Sequence, residues 1–174
     1  MDALILKRRL DLMDGKYTSN MFLPIIGLKR STLHQWIGRG YFRIEQPGTG
    51  RTLELIGEEL FALAALVCLS RMGWGPNSYV KGLRDSSRIY FRAYREMETP
   101  PLRYCVAKGT TFEVEWELSD KPNVEHPIVG ACGSKVLPCW AVFDFQDLME
   151  RLLVGMEEIR RFEQRSKHPE YETL

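Results

Sequence analysis

Apolar residues recur at intervals of three and four in several stretches of the chain, the spacing that lines one face of an α-helix. Residues 58–72 are apolar nearly all round, as expected of a helix at the centre of a small domain. A second helix is predicted over residues 76–98, with Pro76 at its first position. A third is predicted from its N-cap at Asp144 to about residue 165. Its apolar stripe would consist of Phe145, Leu148, Leu152, Ile159 and Phe162.

Between the last two helices the pattern changes to the period of two that is typical of half-buried strands. Residues 112–118 alternate cleanly between acidic and apolar side chains. Residues 102–107 form a predicted partner strand, joined by a turn at Gly109. A third strand is predicted over residues 136–142, where Pro138 favours an edge position or a strand start. This order of elements predicts an α+β fold with a small antiparallel sheet and a long C-terminal helix.

The N-terminal arm, residues 1–16, has apolar residues around the basic run Lys7, Arg8 and Arg9. Because its leucines need burial, we expect a helix docked on the body. A basic tail that becomes ordered on DNA is the alternative.

Two short helices, separated by Gly27, are predicted next. Thr18 or Ser19 would cap the first helix, which contains Pro24 and therefore either starts near the proline or is kinked there. The second covers about residues 29–39 and is ended by glycines. Its residues fall on opposite sides, with Leu33, Trp36 and Ile37 on one, Ser31, His34, Gln35 and Arg39 on the other, and Thr32 at the edge.

A hairpin is predicted over residues 42–55. It turns at residues 47–50 and carries Arg43 near its start and Arg51 just past its tip. Two helices beside a basic wing can enter the major groove of DNA while contacting the flanking backbone. The alternative is a structural helix whose polar face meets only solvent.

The charge distribution agrees with a nucleic-acid-binding head. The 174 residues carry a formal net charge of +1, yet residues 1–52 hold nine lysines and arginines against four acids, a charge of +5. A basic N-terminal third on an acidic remainder suits a head that binds nucleic acid and a body that does not. No apolar run approaches the ~20 residues of a membrane span, and no signal peptide is recognisable. We therefore expect a cytoplasmic, nucleoid-associated protein and no membrane partner.

Enzymatic chemistry is not expected from the sequence. The cysteines Cys68, Cys105, Cys132 and Cys139 lack zinc-like spacing. Cys132 and Cys139 could bind copper(I) or zinc, but buried thiols are the favoured interpretation. Aromatic residues at helical and strand spacing are interpreted as core, with a ligand pocket as the alternative. Since no catalytic arrangement emerges, neither a cofactor nor a metal is predicted.

Residues 17–83 resemble the winged helix-turn-helix head of the MerR superfamily. The likeness is carried by residues 17–28, Ser31, Thr32, Leu33, Trp36, residues 39–42, Arg51 and residues 70–73. It implies that the second helix enters the major groove and that the wing touches the backbone. The remainder of the chain does not match that superfamily, so no effector is implied. Excisionases and some phage small terminases share this head.

The resemblance assigns roles by position. Lys29, Arg30, Ser31 and Thr32 would begin the recognition helix, and Arg51 would be the wing arginine. His34 and Gln35 stand where the family often has arginine and tyrosine at the phosphates, and Ile37 replaces a common acid. The predicted DNA-contacting set is Lys29, Arg30, Ser31, Thr32, His34, Gln35, Arg39, Arg43 and Arg51.

These features together predict three parts: an arm (1–16), a MerR-like domain with its following helix (17–98), and a C-terminal α+β domain for dimerisation or sensing (99–174). The predicted function is a sequence-specific transcriptional regulator that binds double-stranded DNA as a homodimer. RNA polymerase or another protein is a candidate partner. An excisionase, a small terminase and a protein-interaction adaptor are the alternatives.

Overall fold

A computed structural model of the protein describes residues 3–42, 44, 52–72, 80–96, 102–110, 114–121 and 138–167. Its elements are α1 (Ala3–Met13), β1 (Lys16–Thr18), α2 (Ser19–Ile26), α3 (Arg30–Gly38), β2 (Glu54–Ile56), α4 (Gly57–Arg71), α5 (Val80–Glu96), β3 (Tyr104–Thr110), β4 (Val114–Ser119), β5 (Pro138–Asp144) and α6 (Phe145–Lys167). The predicted α+β class is confirmed, with two small antiparallel sheets and a long helix at the C-terminal side.

The central helix is α4, whose side chains are buried on nearly every side. It contacts α1, α2, α5, α6 and β2. At Gly57 the backbone of α1 comes so close that an added Cβ would lie 2.2 Å from the carbonyl oxygen of Met13. One buried cluster extends from Leu12 to Met156, so residues on both sides of position 98 share a core.

Aromatic rings form the part of this core that joins α4, α5 and α6. Phe61 stacks on Tyr90 with 5.6 Å between centroids and meets Phe145 edge-on at 5.3 Å. Such pairs add about 0.5–1.5 kcal/mol beyond the area that they bury. The interpretation of Tyr90 and Phe91 as core residues is confirmed, since both are buried.

The three-stranded sheet has the order β4-β3-β5, with antiparallel pairing throughout. Pro138 begins β5, which is an edge strand, as predicted. The predicted turn at Gly109 is wrong, because β3 continues through it and pairs it with Val114 on one side and Cys139 on the other. Hydrogen bonding on both edges of a central strand overrides the turn preference of a single glycine.

The last helix begins where the sequence indicates. The Asp144 carboxylate accepts a hydrogen bond from the backbone N–H of Asp147 at 3.0 Å, which confirms the predicted N-cap. The predicted apolar stripe is partly wrong, since Phe162 is 73% exposed. The buried side chains are those of Phe145, Met149, Leu152, Leu153 and Met156.

The face of α6 differs from the prediction because the helix packs on three others, α1, α2 and α4. At Gly155 it approaches α2 so closely that a Cβ would lie 2.5 Å from Cγ2 of Ile25. Further along, the contact is polar, and Arg160 donates to the carbonyl oxygen of Asp11 at 2.5 Å. The buried face of α6 therefore covers helices of the same chain.

The N-terminal arm is a docked helix, as expected. Leu12 and Met13, at the end of α1, are each 3% exposed. Arg95 on α5 forms an ion pair with Asp14 at 2.8 Å, and this hydrogen bond holds the pKa of Asp14 below its ordinary value. These contacts give α1 a structural role in the body.

Candidate nucleic-acid interface

The first helix of the candidate reader, α2, runs from Ser19 to Ile26 with Thr18 at the cap position. It passes through Pro24, so of the two alternatives left open by the sequence, a helix that starts near the proline is excluded. A proline inside a helix removes one backbone hydrogen bond. Burial of Phe22, Leu23 and Ile26 against the core offsets that loss.

The turn between α2 and α3 is built on a left-handed glycine. Gly27 has φ +62°, its N–H donates to the Pro24 carbonyl at 3.2 Å, and the N–H of Leu28 donates to the Leu23 carbonyl at 3.1 Å. This pair of bonds is a Schellman motif, which satisfies carbonyls that a helix end would otherwise leave open. The tight turn fixes the direction in which α3 leaves α2.

Arg71 attaches this turn to the end of α4. Its Nη2 donates to the carbonyl oxygens of Ile26 and Gly27, both at 3.1 Å. Sequence analysis placed Arg71 inside the MerR-like segment but gave it no role. No local pattern could do so, because the hydrogen-bonded residues are 44 and 45 positions apart.

The second helix, α3, is anchored on one side and open on the other. Leu33 is 1% and Trp36 6% exposed, and both lie in the core. The other predicted positions surround the opposite face: Lys29, Arg30, Ser31, His34, Gln35 and Arg39 are exposed, and Thr32 is half-buried. The polar arc predicted from helical periodicity is therefore confirmed, since Ser31, His34, Gln35 and Arg39 are all exposed on one face of α3.

The N-terminus of α3 is electrostatically unusual. Lys29 occupies the cap position but makes no side-chain capping bond, and no acid lies in the first turn. Arg30 follows and donates to the side-chain oxygen of Asn20 on α2. Cations beside the positive end of a helix dipole are unfavourable in the free protein, whereas an anion there would be stabilised.

The segment predicted as a hairpin, residues 42–55, lies mostly outside the described residues, and the strand β2 begins at its end. β2 pairs with β1, a three-residue strand that the sequence did not predict, in a register that places Tyr17 opposite Leu55. Phe42 is buried, with the Arg84 guanidinium 5.5 Å from its ring centroid. The tip of the predicted wing lies outside the described residues, and so do Arg43 and Arg51.

Reactive cysteines, metal ligands and membrane-spanning helices were also sought among the residues that the structure describes. Burial raises the pKa of the Cys105 thiol to about 12 and also raises that of Cys68, which disfavours reactive thiolates. The side chains of Cys132 and Cys139 lie outside the described residues. Within those residues there is no cluster of three or more potential metal ligands, and no helix combines the length and apolarity needed to cross a bilayer.

Comparison with known proteins adds no family assignment. No protein-family model matches the chain, and no curated protein is significantly similar to it. The resemblance to the MerR superfamily therefore rests on the residues quoted above.

The first prediction concerns the turn between α2 and α3. In Gly27→Ala the new Cβ would sit in a left-handed conformation and 2.3 Å from Nη2 of Arg71, so the arginine must leave its two carbonyls. We expect a loss of about 2 kcal/mol in the free energy of unfolding, from backbone strain and the lost hydrogen bonds. Chemical denaturation measures it.

Gly40→Ala is the matched control, because Gly40 has φ +75° but no atom within 4 Å of an added Cβ. It should cost only the strain, about 1 kcal/mol. Equal losses in the two variants would show that Arg71 does not hold the turn.

The second prediction concerns the start of α3. Lys29→Asp supplies a capping carboxylate and removes a cation from the helix N-terminus, so the free protein should gain about 1 kcal/mol of stability. Lys29→Gln removes the charge without supplying a good cap and serves as the control. An Asp variant no more stable than the Gln variant would refute the electrostatic description of this terminus.

Proposed function

We propose that the protein is a sequence-specific regulator of transcription that binds double-stranded DNA through α3. The observation that carries the proposal is the exposed polar face of α3, held by the burial of Leu33 and Trp36 on its other side. An α-helix with its side chains is about 10–12 Å across, which matches a major groove ~12 Å wide. Donors and acceptors on this face can therefore reach base edges.

The start of α3 supports a phosphate contact beside the bases. Lys29 and Arg30 destabilise this helix end in the free protein, and a phosphate would neutralise them while accepting hydrogen bonds from the open backbone N–H groups. Such an arrangement costs stability and gains affinity only when an anion binds. A helix whose polar face meets only solvent would gain no binding energy from two cations at its N-terminus.

The alternatives differ in what they predict for this face. An excisionase or small terminase would use the same helix on DNA without regulating a promoter. An adaptor would keep its protein partner after loss of the basic residues. Mapping binding sites across the genome distinguishes regulation, with sites at promoters, from packaging or recombination, with sites at phage or attachment sequences.

The third prediction tests the reader directly. After selection of a preferred sequence from random DNA, Gln35→Ala should cost about 1–3 kcal/mol in binding and relax preference at one base pair, because glutamine can bond adenine through two contacts. Arg51→Ala, in the segment that the sequence predicts to be a wing, should weaken binding to all sequences alike. Gln164→Ala, an exposed glutamine on α6, is the matched control and should bind normally.

Identical and uniform losses for Gln35→Ala and Arg51→Ala would refute the assignment of reader and anchor. Undiminished binding in both variants would refute DNA binding through this face.

The fourth prediction is a two-fold dimer, since specific binding by such readers commonly uses half-sites about one helical turn, ~34 Å, apart. The surfaces that remain for it on α5 and α6 include Ile89, 60% exposed, and Val154, 58% exposed. Sedimentation of the full chain should show a dimer at micromolar concentration. One of the variants Ile89→Glu and Val154→Glu should produce monomers, and the other, on the surface outside the interface, then serves as the control. A native chain that is monomeric would contradict the proposal.

A further inference from the structure

A cleft of about 440 Å³ lies between α2, α4, α6 and the edge strand β5. Its floor is apolar and is formed by Ile25, Ile26, Ala64, Val67, Phe143 and Leu152. The volume is within the range of about 300–1,000 Å³ that accommodates small organic ligands, which commonly bind an apolar surface next to a few polar groups. None of the residues that line this cleft belongs to α3.

The charges at the rim of this cleft are unequally neutralised. Asp144 is paired with Arg103 at 2.7 Å, and Asp147 with Arg151 at 2.8 Å. Arg71 is different: it donates from Nη2 to two backbone carbonyls, and no carboxylate among the described residues pairs with it. The cleft therefore combines an apolar floor with one arginine whose charge lacks a counterion in the described part of the chain.

We propose that this cleft binds a small amphipathic carboxylate, with its apolar body on the floor and its carboxylate on Arg71. A guanidinium presents several N–H groups in a planar fork that matches a carboxylate in two-bonded fashion. The two bonds to carbonyls use Nη2, so Nε and Nη1 are the groups offered to the ligand. A highly charged ligand such as a nucleotide fits less well, because Asp144 and Asp147 also line the cleft.

The location gives such a ligand an influence on the reader. Arg71 holds the α2–α3 turn through Ile26 and Gly27, and Ile26 is part of the cleft floor. A carboxylate that pulls the guanidinium toward itself changes the hydrogen bonds that orient α3. This regulatory consequence rests on the proposed DNA binding, whereas ligand binding in the cleft does not.

The experiment uses the full chain labelled with ¹³C at isoleucine methyl groups, and three probes that share one apolar body: 4-phenylbutyrate, its amide and the corresponding amine. The carboxylate should shift the methyl signals of Ile25 and Ile26 in a saturable manner, with a millimolar dissociation constant typical of a fragment. The amide and the amine should bind about tenfold more weakly, the difference expected for one charge-assisted hydrogen bond.

Two arginine variants test the assignment of the anion site. Arg71→Gln should abolish the preference for the carboxylate over the amide. Arg151→Gln, which also lines the cleft but has its charge paired to Asp147 in the native protein, is the matched control and should keep that preference. Circular dichroism verifies folding, and the comparison of the three probes on the native chain needs no variant.

The proposal is overturned if the three probes bind equally, if saturable shifts appear only away from the cleft, or if the carboxylate causes none. A measurement of DNA affinity at saturating 4-phenylbutyrate then separates the two claims. A chain that binds the probe but no DNA would refute the proposed function alone. A chain that binds DNA but shows no carboxylate preference would refute the cleft assignment alone.

Discussion

Burial of α4 on nearly all sides is the constraint on which the other elements depend. Four helices and β2 pack on it, so each of them buries part of its apolar side against α4. The candidate DNA-reading helices are part of this arrangement, because α2 packs on both α4 and α6 and α3 is anchored through Leu33 and Trp36. The orientation of the exposed face of α3 is thus set by the whole core.

Sequence reasoning succeeded where a long periodic pattern met a clear boundary signal. The fifteen residues of α4, the cap of α6 at Asp144, the alternation in β4 and the proline at the start of β5 are of this kind. The same reasoning placed the polar arc of α3 correctly, because the large apolar residues Leu33 and Trp36 leave only one face to bury. Local information was sufficient in each of these cases.

It failed where partners distant in the chain decide the outcome. The strand β1 has three residues and no periodicity of its own, and it exists because β2 pairs with it. Gly109 stays extended because it has neighbours on both sides. The buried face of α6 is wider than predicted because three helices pack on it. The hydrogen bonds of Arg71 join residues that are too far apart in the sequence for any local pattern to relate them. Helical spacing alone cannot specify any of these choices.

The contact between α1 and α6 has a consequence for folding during synthesis. Arg160 reaches the carbonyl of Asp11 across 149 positions, and Gly155 lies against Ile25 of the first reader helix. A ribosome therefore releases α2 and α3 long before the surface that completes their packing emerges. Contacts of such sequence separation form late, since a large loop must close first. A nascent chain that lacks α6 should expose the apolar side of α2 and depend on chaperones until translation reaches it.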